Sequence, residues 1–595
     1  MVRFRRSIAT VRVSCNLCRQ CRTTRRTDAS RDDMRVRATT WNLAAINNNP
    51  FEYYSSSVAP PTTASSTRGG SDDDGNGGNV TYDGFMIGVE KRLVGDAESP
   101  SMASVMTEKM LDDLEGRVGA MDGVSVELAR RCREYYAKRV DGKTCAEFLR
   151  DVELGAKRLC SMPDRVTNTV FGEIVGGGKG ESGGRVCRPT VSNCYEGTFR
   201  DEMEWWAAWM VRFFDVRVRS VDGTEATMAE RLVPIKRAKY PAISEEEESL
   251  GVGLQVFFLA GFDAALICVA TLAAGSFEAW QRIRAQVVDD LVKHKQSRTL
   301  DILDECLLGG KVEDDEVVVC CLQEVGASFV DSARRRKGIS AAFEVCCPAE
   351  MDAKRDQNSV ILVSKSLVGN SSPIVEVTKE ILDSLGQAKS SFACGDFCAF
   401  LVGSQSETDT NSSPTSGKFL LCSFHGDTDG LQTKTITSAV NTYVASHADL
   451  TVCVFGMDAN THVAHKDGKK QGVADFIDFV SESTSFRCCW SMCGVDVEKD
   501  AFTTFSARTF LQAQLNKAVP MAEATSSPLT DRHPKDHILI STPSLEPFDA
   551  RVERINAVEF RDGEAPKPLA FDPASMFPNA RFPSDHAAVT CRFTL

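Results

Sequence analysis

The apolar residues follow one rhythm in the last half of the chain and another before it. From about Ser276 to Leu595, short apolar runs alternate with helical stretches. Val317 to Val325, VVVCCLQEV, is the continuous run expected of a central strand covered on both faces. SVILVS, DFCAFLVGS, KFLLCSF and LTVCVFG read as further strands, and TITSAVNTYVASH and GVADFIDFVSES as helices. HILIS, ARVERINAVEF and AAVTCRFTL close the chain as strands. Near its start, Met34 to Leu43, MRVRATTWNL, alternates enough to be one more. Alternation of this kind predicts an α/β domain rich in strands, built from residues 34–50 and 276–595.

Residues 51–275 break the rhythm and read as a mainly helical insertion. SVMTEKMLDDLEGRV and VELARRCREYYAKRV are helical, and Glu202 to Val218 concentrates Trp and Phe as a core helix would. Leu250 to Gly275 is the most apolar window and is long enough to span a bilayer. Asp263 at its centre, Gln255 near its start and the lack of a strong Lys/Arg flank favour a buried helical pair over a membrane span. Phe277 to Leu308 reads as a helix with Trp280, Ile283, Val287 and Leu291 on one face. Residues 55–79 and 176–184 are flexible loops by composition. The second lacks the Ser/Thr after Gly-Lys that a phosphate-cradling loop requires.

Composition narrows the picture. The chain has 595 residues, too many for one ordinary core, with 42% hydrophobic and 25% charged residues. A net charge of −13 argues against gripping nucleic acid by bulk electrostatics, though a local basic groove is compatible with it. The 22 cysteines include the neighbours Cys320-Cys321, Cys346-Cys347 and Cys488-Cys489, and read as reduced thiols of an intracellular protein. Residues 1–33 form a basic tail. Its first 27 residues hold many Arg and no Asp or Glu, which fits a mitochondrial or plastid transit peptide, and otherwise a disordered tail on a cytoplasmic or nuclear protein. Cys15, Cys18 and Cys21 have no second Cys/His cluster nearby to complete a zinc site.

Candidate chemistry sits where the strands stop. Asn42 ends the first strand and Glu324 the run VVVCCLQEV. His425 ends KFLLCSF, Asp458 and Asn460 follow LTVCVFG, Asp536 precedes HILIS, and Asp585 with His586 precedes AAVTCRFTL. Any one could be a cap or a turn. All of them together, beside runs this apolar, would be expensive to place without partners. The loop THVAHKDGKK adds His462, His465, Lys466, Lys469 and Lys470. The three lysines are candidate substrate contacts, although a solvated loop would look the same.

In order and placement these residues resemble the endonuclease/exonuclease/phosphatase superfamily of deoxyribonuclease I-like, metal-dependent phosphoesterases. The matching segments are TWN at Thr40–Asn42, LQEV at Leu322–Val325, His425, the Asp-x-Asn of Asp458 and Asn460, the strand opening at Asp536, and PSDH at Pro583–His586. The resemblance implies a four-layered α/β sandwich, two packed mixed sheets flanked by helices, with the site at one edge. It implies Mg²⁺, with Mn²⁺ as a substitute, on Glu324, Asn42 and Asp585. Asp458 would position or deprotonate the attacking water, and Asn460 would hold that water or a phosphate oxygen. His586, oriented by Asp536, would bond the phosphoryl group, and His425 would contact the scissile phosphate. The residue types leave open whether Asp458 or His586 is the base.

Two departures stand out. Asn42 and Glu324 are 282 positions apart, far more than the family usually needs, and the insertion fills the gap. Met457 also separates Gly456 from Asp458. The implied activity is hydrolysis of a phosphodiester or phosphomonoester, with nucleic acid or a nucleotide adduct favoured. Sphingomyelin, another phospholipid or a phosphoinositide is the alternative substrate, and a non-catalytic scaffold the alternative class. What protein partner the insertion would meet is not specified by its residues.

Overall fold

The structure is a computed structural model. It describes residues 34–595 apart from 45–48, 56–79, 96–97, 155–157, 177–183, 221, 310–315, 353–354, 369–373, 404–417, 513–514, 516–529, 543–546 and 562. The basic tail, almost all of the 55–79 loop and most of the 176–184 loop therefore lie outside the described residues.

The strands of the two large sheets are numbered here in chain order. They are β1 (Arg35–Asn42), β2 (Glu316–Val325), β3 (Phe343–Cys346), β4 (Asn358–Ser364), β5 (Val375–Glu376) and β6 (Phe397–Gly403). The remainder are β7 (Lys418–His425), β8 (Leu450–Asp458), β9 (Arg487–Cys488), β10 (Asp536–Ser541), β11 (Phe548–Ile555) and β12 (Ala588–Thr594). One 6-stranded sheet has the order β11-β12-β1-β2-β4-β3 and the other β9-β10-β8-β7-β6-β5. Each holds one parallel pair, β1 with β2 and β7 with β8, among antiparallel neighbours. The carboxyl ends of both parallel pairs therefore face the same edge.

The sheets pack face to face because alternate residues of these runs are apolar on both sides. Val36, Ala38, Val319 and Cys321 of the first sheet share one buried cluster with Cys398, Leu421, Val454 and Ile538 of the second. The outer face of the first sheet, with Trp41, Val318, Cys320 and Leu322, buries Leu303, Phe329, Val330 and Ile339. The helices Thr433–Ser446 and Val473–Ser483 cover the second sheet through Ile436, Val440, Phe476 and Val480. The architecture is the expected four-layered α/β sandwich, two packed mixed sheets flanked by helices. Met457 does not disturb it, since Gly456, Met457 and Asp458 pair in unbroken register with Ile538, His537 and Asp536.

The insertion forms its own core around the helix Glu245–Ala274, opened by a Ser244–Glu247 capping box and closed by Gly275 in the left-handed region. The buried helical pair expected between Leu250 and Gly275 is instead one helix, kinked near its start at Gly251 (φ 61°). Gly261, in mid-window, does not break it. A Cβ there would lie 2.2 Å from the Tyr136 hydroxyl, so this glycine permits close approach of another helix. The helix passes a length and apolarity test for a membrane span, and 89% of its most apolar window is buried inside the protein.

Asp263 explains itself through its partners. Arg188 reaches it through Nε at 2.6 Å and Nη2 at 3.1 Å, Thr190 Oγ1 donates at 2.6 Å and Trp209 Nε1 at 2.8 Å. The insertion also contains a 4-stranded antiparallel sheet (Thr169–Ile174, Gly184–Cys187, Val218–Ser220, Glu225–Ala226) that its helical reading did not anticipate. Its apolar cluster runs from Phe51 and Tyr54 to Leu291, past position 275, and takes in Phe510, Leu511 and Leu515 as well. The described cysteines are free thiols, most of them buried.

Candidate active site

Strand register gathers the predicted residues. His425 lies opposite Asp458 across the parallel pair β7/β8, and Asp458 opposite Asp536 across β8/β10. Asn42 lies opposite Gln323 across β1/β2. His586, just before β12, faces Thr504 in an isolated bridge and brings the first sheet's edge against the second. Beneath the site the sheets approach closely at Gly456, where a Cβ would stand 2.5 Å from the Cys321 Cβ. Gln323 ties them with hydrogen bonds from Nε2 to Thr40 Oγ1 at 3.1 Å and Ser423 Oγ at 3.0 Å.

Glu324 is aimed by an irregularity. The β2/β4 pairing shifts between Leu322 and Val325, leaving one extra residue on β2, and Glu324 takes φ 50°. A bulge carrying a non-glycine residue in the left-handed region re-aims one side chain at a backbone cost of ~1–3 kcal/mol, a trade found mostly at functional sites. Asn460, two residues past Asp458, is also in the left-handed region, at φ 49°.

Around Glu324 the contacts are dense. Asn42 Nδ2 donates to Glu324 Oε1 at 3.1 Å and to Asp458 Oδ2 at 2.9 Å, and Gln357 Nε2 donates to Glu324 Oε2 at 3.1 Å. His425 Nε2 is 3.2 Å from Glu324 Oε1 and 3.7 Å from Asp458 Oδ2. His586 Nε2 is likewise 3.7 Å from Asp458 Oδ2, while its Nδ1 meets Asp536 Oδ2 at 2.8 Å. Asn460 donates its backbone N–H to Asp458 Oδ1 at 3.0 Å and its side-chain amide to the Gly426 carbonyl at 3.0 Å.

Charge follows this geometry. Burial works against the Glu324 carboxylate, but the hydrogen bond and charge of His425, with Asn42, bring its pKa down to about 2. Burial also opposes both imidazolium ions. Glu324 and Asp458 nonetheless raise His425 to about 9, and Asp536 and Asp458 raise His586 to about 10. Burial raises the Asp536 carboxyl, and His586 counters it.

The donors fit a hard divalent cation. Ligand atoms of Glu324, His425 and Asp458 lie within 4.8 Å of one another, as do those of Asp458, Asp536 and His586. Two carboxylates of acceptor-only oxygen, steadied by Asn42 and Gln357, suit Mg²⁺ better than a soft metal. Asp585 is half-buried and belongs to neither group. Lys295 and Lys535 both feel its charge. Lys466 and Lys469 are exposed on their turn, and so is Lys470, whose charge reaches the His462 ring.

Sequence reading missed Gln357, Lys295 and Lys535. Lys295 is 7% exposed and pulled down to about 8 by burial, against Asp585 and Glu324. Burial also opposes the Lys535 ammonium, but Asp531, Asp458 and Asp585 push it up. Only the position of Lys535 directly before Asp536 could have signalled it.

Residues 100–285, most of the insertion, match a family described as Domain of unknown function (DUF8234). No curated protein matches the chain. Among solved structures it is similar to truncated Caenorhabditis elegans TDP2, at 14% identity over 51% of this chain and 93% of that one, with a TM-score of 0.30. It is also similar to a Bacteroides thetaiotaomicron mannosyl-6-phosphatase, at 11% identity over 52% of this chain and 94% of that one, TM-score 0.30. A third is ANGEL2, a 2',3'-cyclic phosphatase, at 12% identity over 51% of this chain and 86% of that one, TM-score 0.30.

Proposed function

We propose that this chain hydrolyses phosphoesters with a divalent metal, Mg²⁺ first and Mn²⁺ as a substitute, and that its preferred substrate is a phosphodiester of nucleic acid or a nucleotide adduct. One observation carries the reading. Asp458 Oδ2 stands 3.7 Å from the Nε2 atoms of both His425 and His586; Asp536 backs the His586 ring at Nδ1, and Glu324 lies 3.2 Å from His425 Nε2 itself. A single buried carboxylate between two cationic N–H donors places a proton acceptor beside a cradle for a phosphoryl group.

Each residue then has one task. Asp458, its other oxygen held by the Asn460 backbone, orients a water against phosphorus and takes its proton as the new P–O bond forms and the bond to the leaving group breaks. His586 donates Nε2–H to a phosphoryl oxygen, its imidazolium fixed by Asp536, and His425, its Nε2 beside Glu324 Oε1, adds positive charge facing the scissile phosphate. Glu324 and Asp585 are the residues that would hold the metal, with Asn42 Nδ2 supporting the Glu324 carboxylate. Bound there, it would supply Lewis-acid compensation for charge on the phosphoryl oxygens. Lys535 adds positive charge near Asp458.

The test uses the purified full chain on bis-p-nitrophenyl phosphate, 5′- and 3′-labelled oligonucleotides, sphingomyelin and a phosphoinositide, with Mg²⁺, Mn²⁺ or EDTA. EDTA-sensitive turnover, fastest on the nucleic-acid substrates, is expected. Absence of turnover on every phosphoester overturns the enzymatic reading, and faster turnover of a lipid overturns the substrate preference.

A further inference from the structure

Lys295 sits where the insertion hands the chain back to the sheets. Leu291 belongs to the insertion's apolar cluster, and Leu300 to the cluster beneath the first sheet. Between them the backbone is π-helical over Asp289–Lys293 and α-helical over Lys295–Asp301, and Gln296 pins the turn to Ser328 and Ser332 beyond β2. An ammonium buried this deeply must have partners. The Lys295 Nζ donates to the Ala44 carbonyl, and the carboxylates that favour its charge are Asp585 and Glu324.

Ala44 has an unusual conformation of its own. It holds φ 46°, in the left-handed region that a residue with a Cβ rarely adopts without an outside restraint. In that conformation its N–H donates to Asn42 Oδ1 at 2.8 Å. The other end of the same amide donates to Glu324 and Asp458. A continuous chain of hydrogen bonds thus runs from Lys295 through Ala44 and Asn42 to the two carboxylates at the centre of the site. The insertion's small sheet approaches the same place, since the charges of Arg185, on the strand Gly184–Cys187, and of Cys194 also act on Lys295.

We propose that Lys295 is a positioning residue of the active site: by holding Ala44 in its left-handed conformation it fixes which way the Asn42 amide faces, so that the exit of the insertion completes the catalytic edge. The inference rests on the proposed reaction only for its kinetic half.

Crystal structures of the wild type, Lys295→Met and Lys295→Arg decide the geometric half without any turnover. In Lys295→Met, Ala44 should leave the left-handed region and Asn42 Nδ2 should move out of hydrogen-bond range of Glu324, with Arg188 and Asp263 unmoved. Lys295→Arg should keep both contacts. Asn42 unchanged in the Met variant overturns the proposal. Should that variant not fold, Lys295→Gln gives the same reading, because its amide is too short to reach Ala44. On the phosphoester the wild type turns over, Lys295→Met should lower kcat ~10–100-fold with KM little changed, as expected of sub-ångström misplacement. Lys295→Arg should recover part of the loss. On an Asn42→Ala background the same change should cost less than ~3-fold. A cost in the double variant equal to the product of the single ones overturns the proposal. A wild type with no turnover would sink the phosphoesterase reading and leave the structural result to stand.

Discussion

Asp536 opens a strand of one sheet and His586 leads into a strand of the other, and the 2.8 Å hydrogen bond from His586 Nδ1 to Asp536 Oδ2 crosses between them. Asp536 opens β10, His586 precedes β12, and 50 positions separate them. The carboxylate fixes the tautomer and sustains the imidazolium charge that burial would otherwise remove. Asp536→Asn keeps the volume but loses the charge. It should therefore lower kcat by ~10²–10⁴-fold with a smaller change in KM, by analogy with carboxylate-to-amide changes behind catalytic histidines. Steady-state kinetics of the two proteins, matched by circular dichroism, test this. A loss of less than ~10-fold would show that His586 needs no partner.

Glu324 is the carboxylate on which Asn42, Gln357 and His425 converge. Glu324→Gln removes the charge that a divalent cation would bind and that balances His425. Titration calorimetry with MnCl₂ or MgCl₂ should show the heat of binding lost in this variant, together with at least ~10²-fold of metal-dependent turnover. Equal affinity in wild type and variant would move the metal away from Glu324, towards Asp458 and Asp585.

The residues legible in the sequence are those that stop an apolar run. A strand covered on both faces has few polar positions, so Asn42, Glu324, His425, Asp458 and Asp536 stood out as abrupt ends, and their order matched the sheet edge that gathers them. Lys295 and Lys535 were not legible. Each lies among other charges, in KHKQSR and RHPKDH, where a lysine is ordinarily solvated, and only the packing of distant segments buries Lys295 and half-buries Lys535. Asp263 was visible as a misfit in an apolar window. Its partner Arg188, 75 positions away in a Gly-rich and polar stretch, carried no local sign of pairing. Gly261 carried no local sign of its role either, because the close passage of Tyr136 is a property of the packed state alone.

The Arg188–Asp263 pair should dominate the stability of the insertion. Both side chains are fully buried, and Asp164 Oδ1 and Thr167 Oγ1 accept the remaining guanidinium donors at 2.6 and 2.8 Å. Asp263→Ala leaves Arg188 with Asp164 as its one carboxylate partner and strands the Thr190 and Trp209 donors, and should destabilise the protein by ~3 kcal/mol. Arg188→Met combined with Asp263→Leu should cost less than Asp263→Ala, because the one charge then left without its ion pair, Asp164, keeps a hydrogen bond from Asn168 Nδ2 at 3.0 Å. Urea unfolding followed by tryptophan fluorescence reads both, since Trp209 donates to Asp263. A double variant less stable than Asp263→Ala would mean that the pair contributes more than its own compensation.

His533 gives the stability of the site's rim a pH dependence of known sign. Burial lowers its pKa from 6.5 to about 4, with His462, Lys470 and Lys535 adding repulsion and Asp531, 3.2 Å from Nε2, opposing the shift. Its Nδ1 is buried without a hydrogen-bond partner, as a neutral ring can tolerate and a charged one cannot. Between pH 6.5 and about 4 the unfolded chain binds a proton at this position that the folded chain does not. Protonation therefore favours unfolding, and the contribution, full above pH 6.5, is lost as pH falls towards 4. The slope from this one group is at most ~1.4 kcal/mol per pH unit. Denaturant midpoints of wild type and His533→Gln at pH 7.0, 6.0, 5.0 and 4.5 isolate it from the other titrating groups. The two should converge as pH falls, with the wild type losing stability more steeply. Parallel curves would mean that the His533 ring is protonated in the folded protein, and that Asp531 rather than burial governs it.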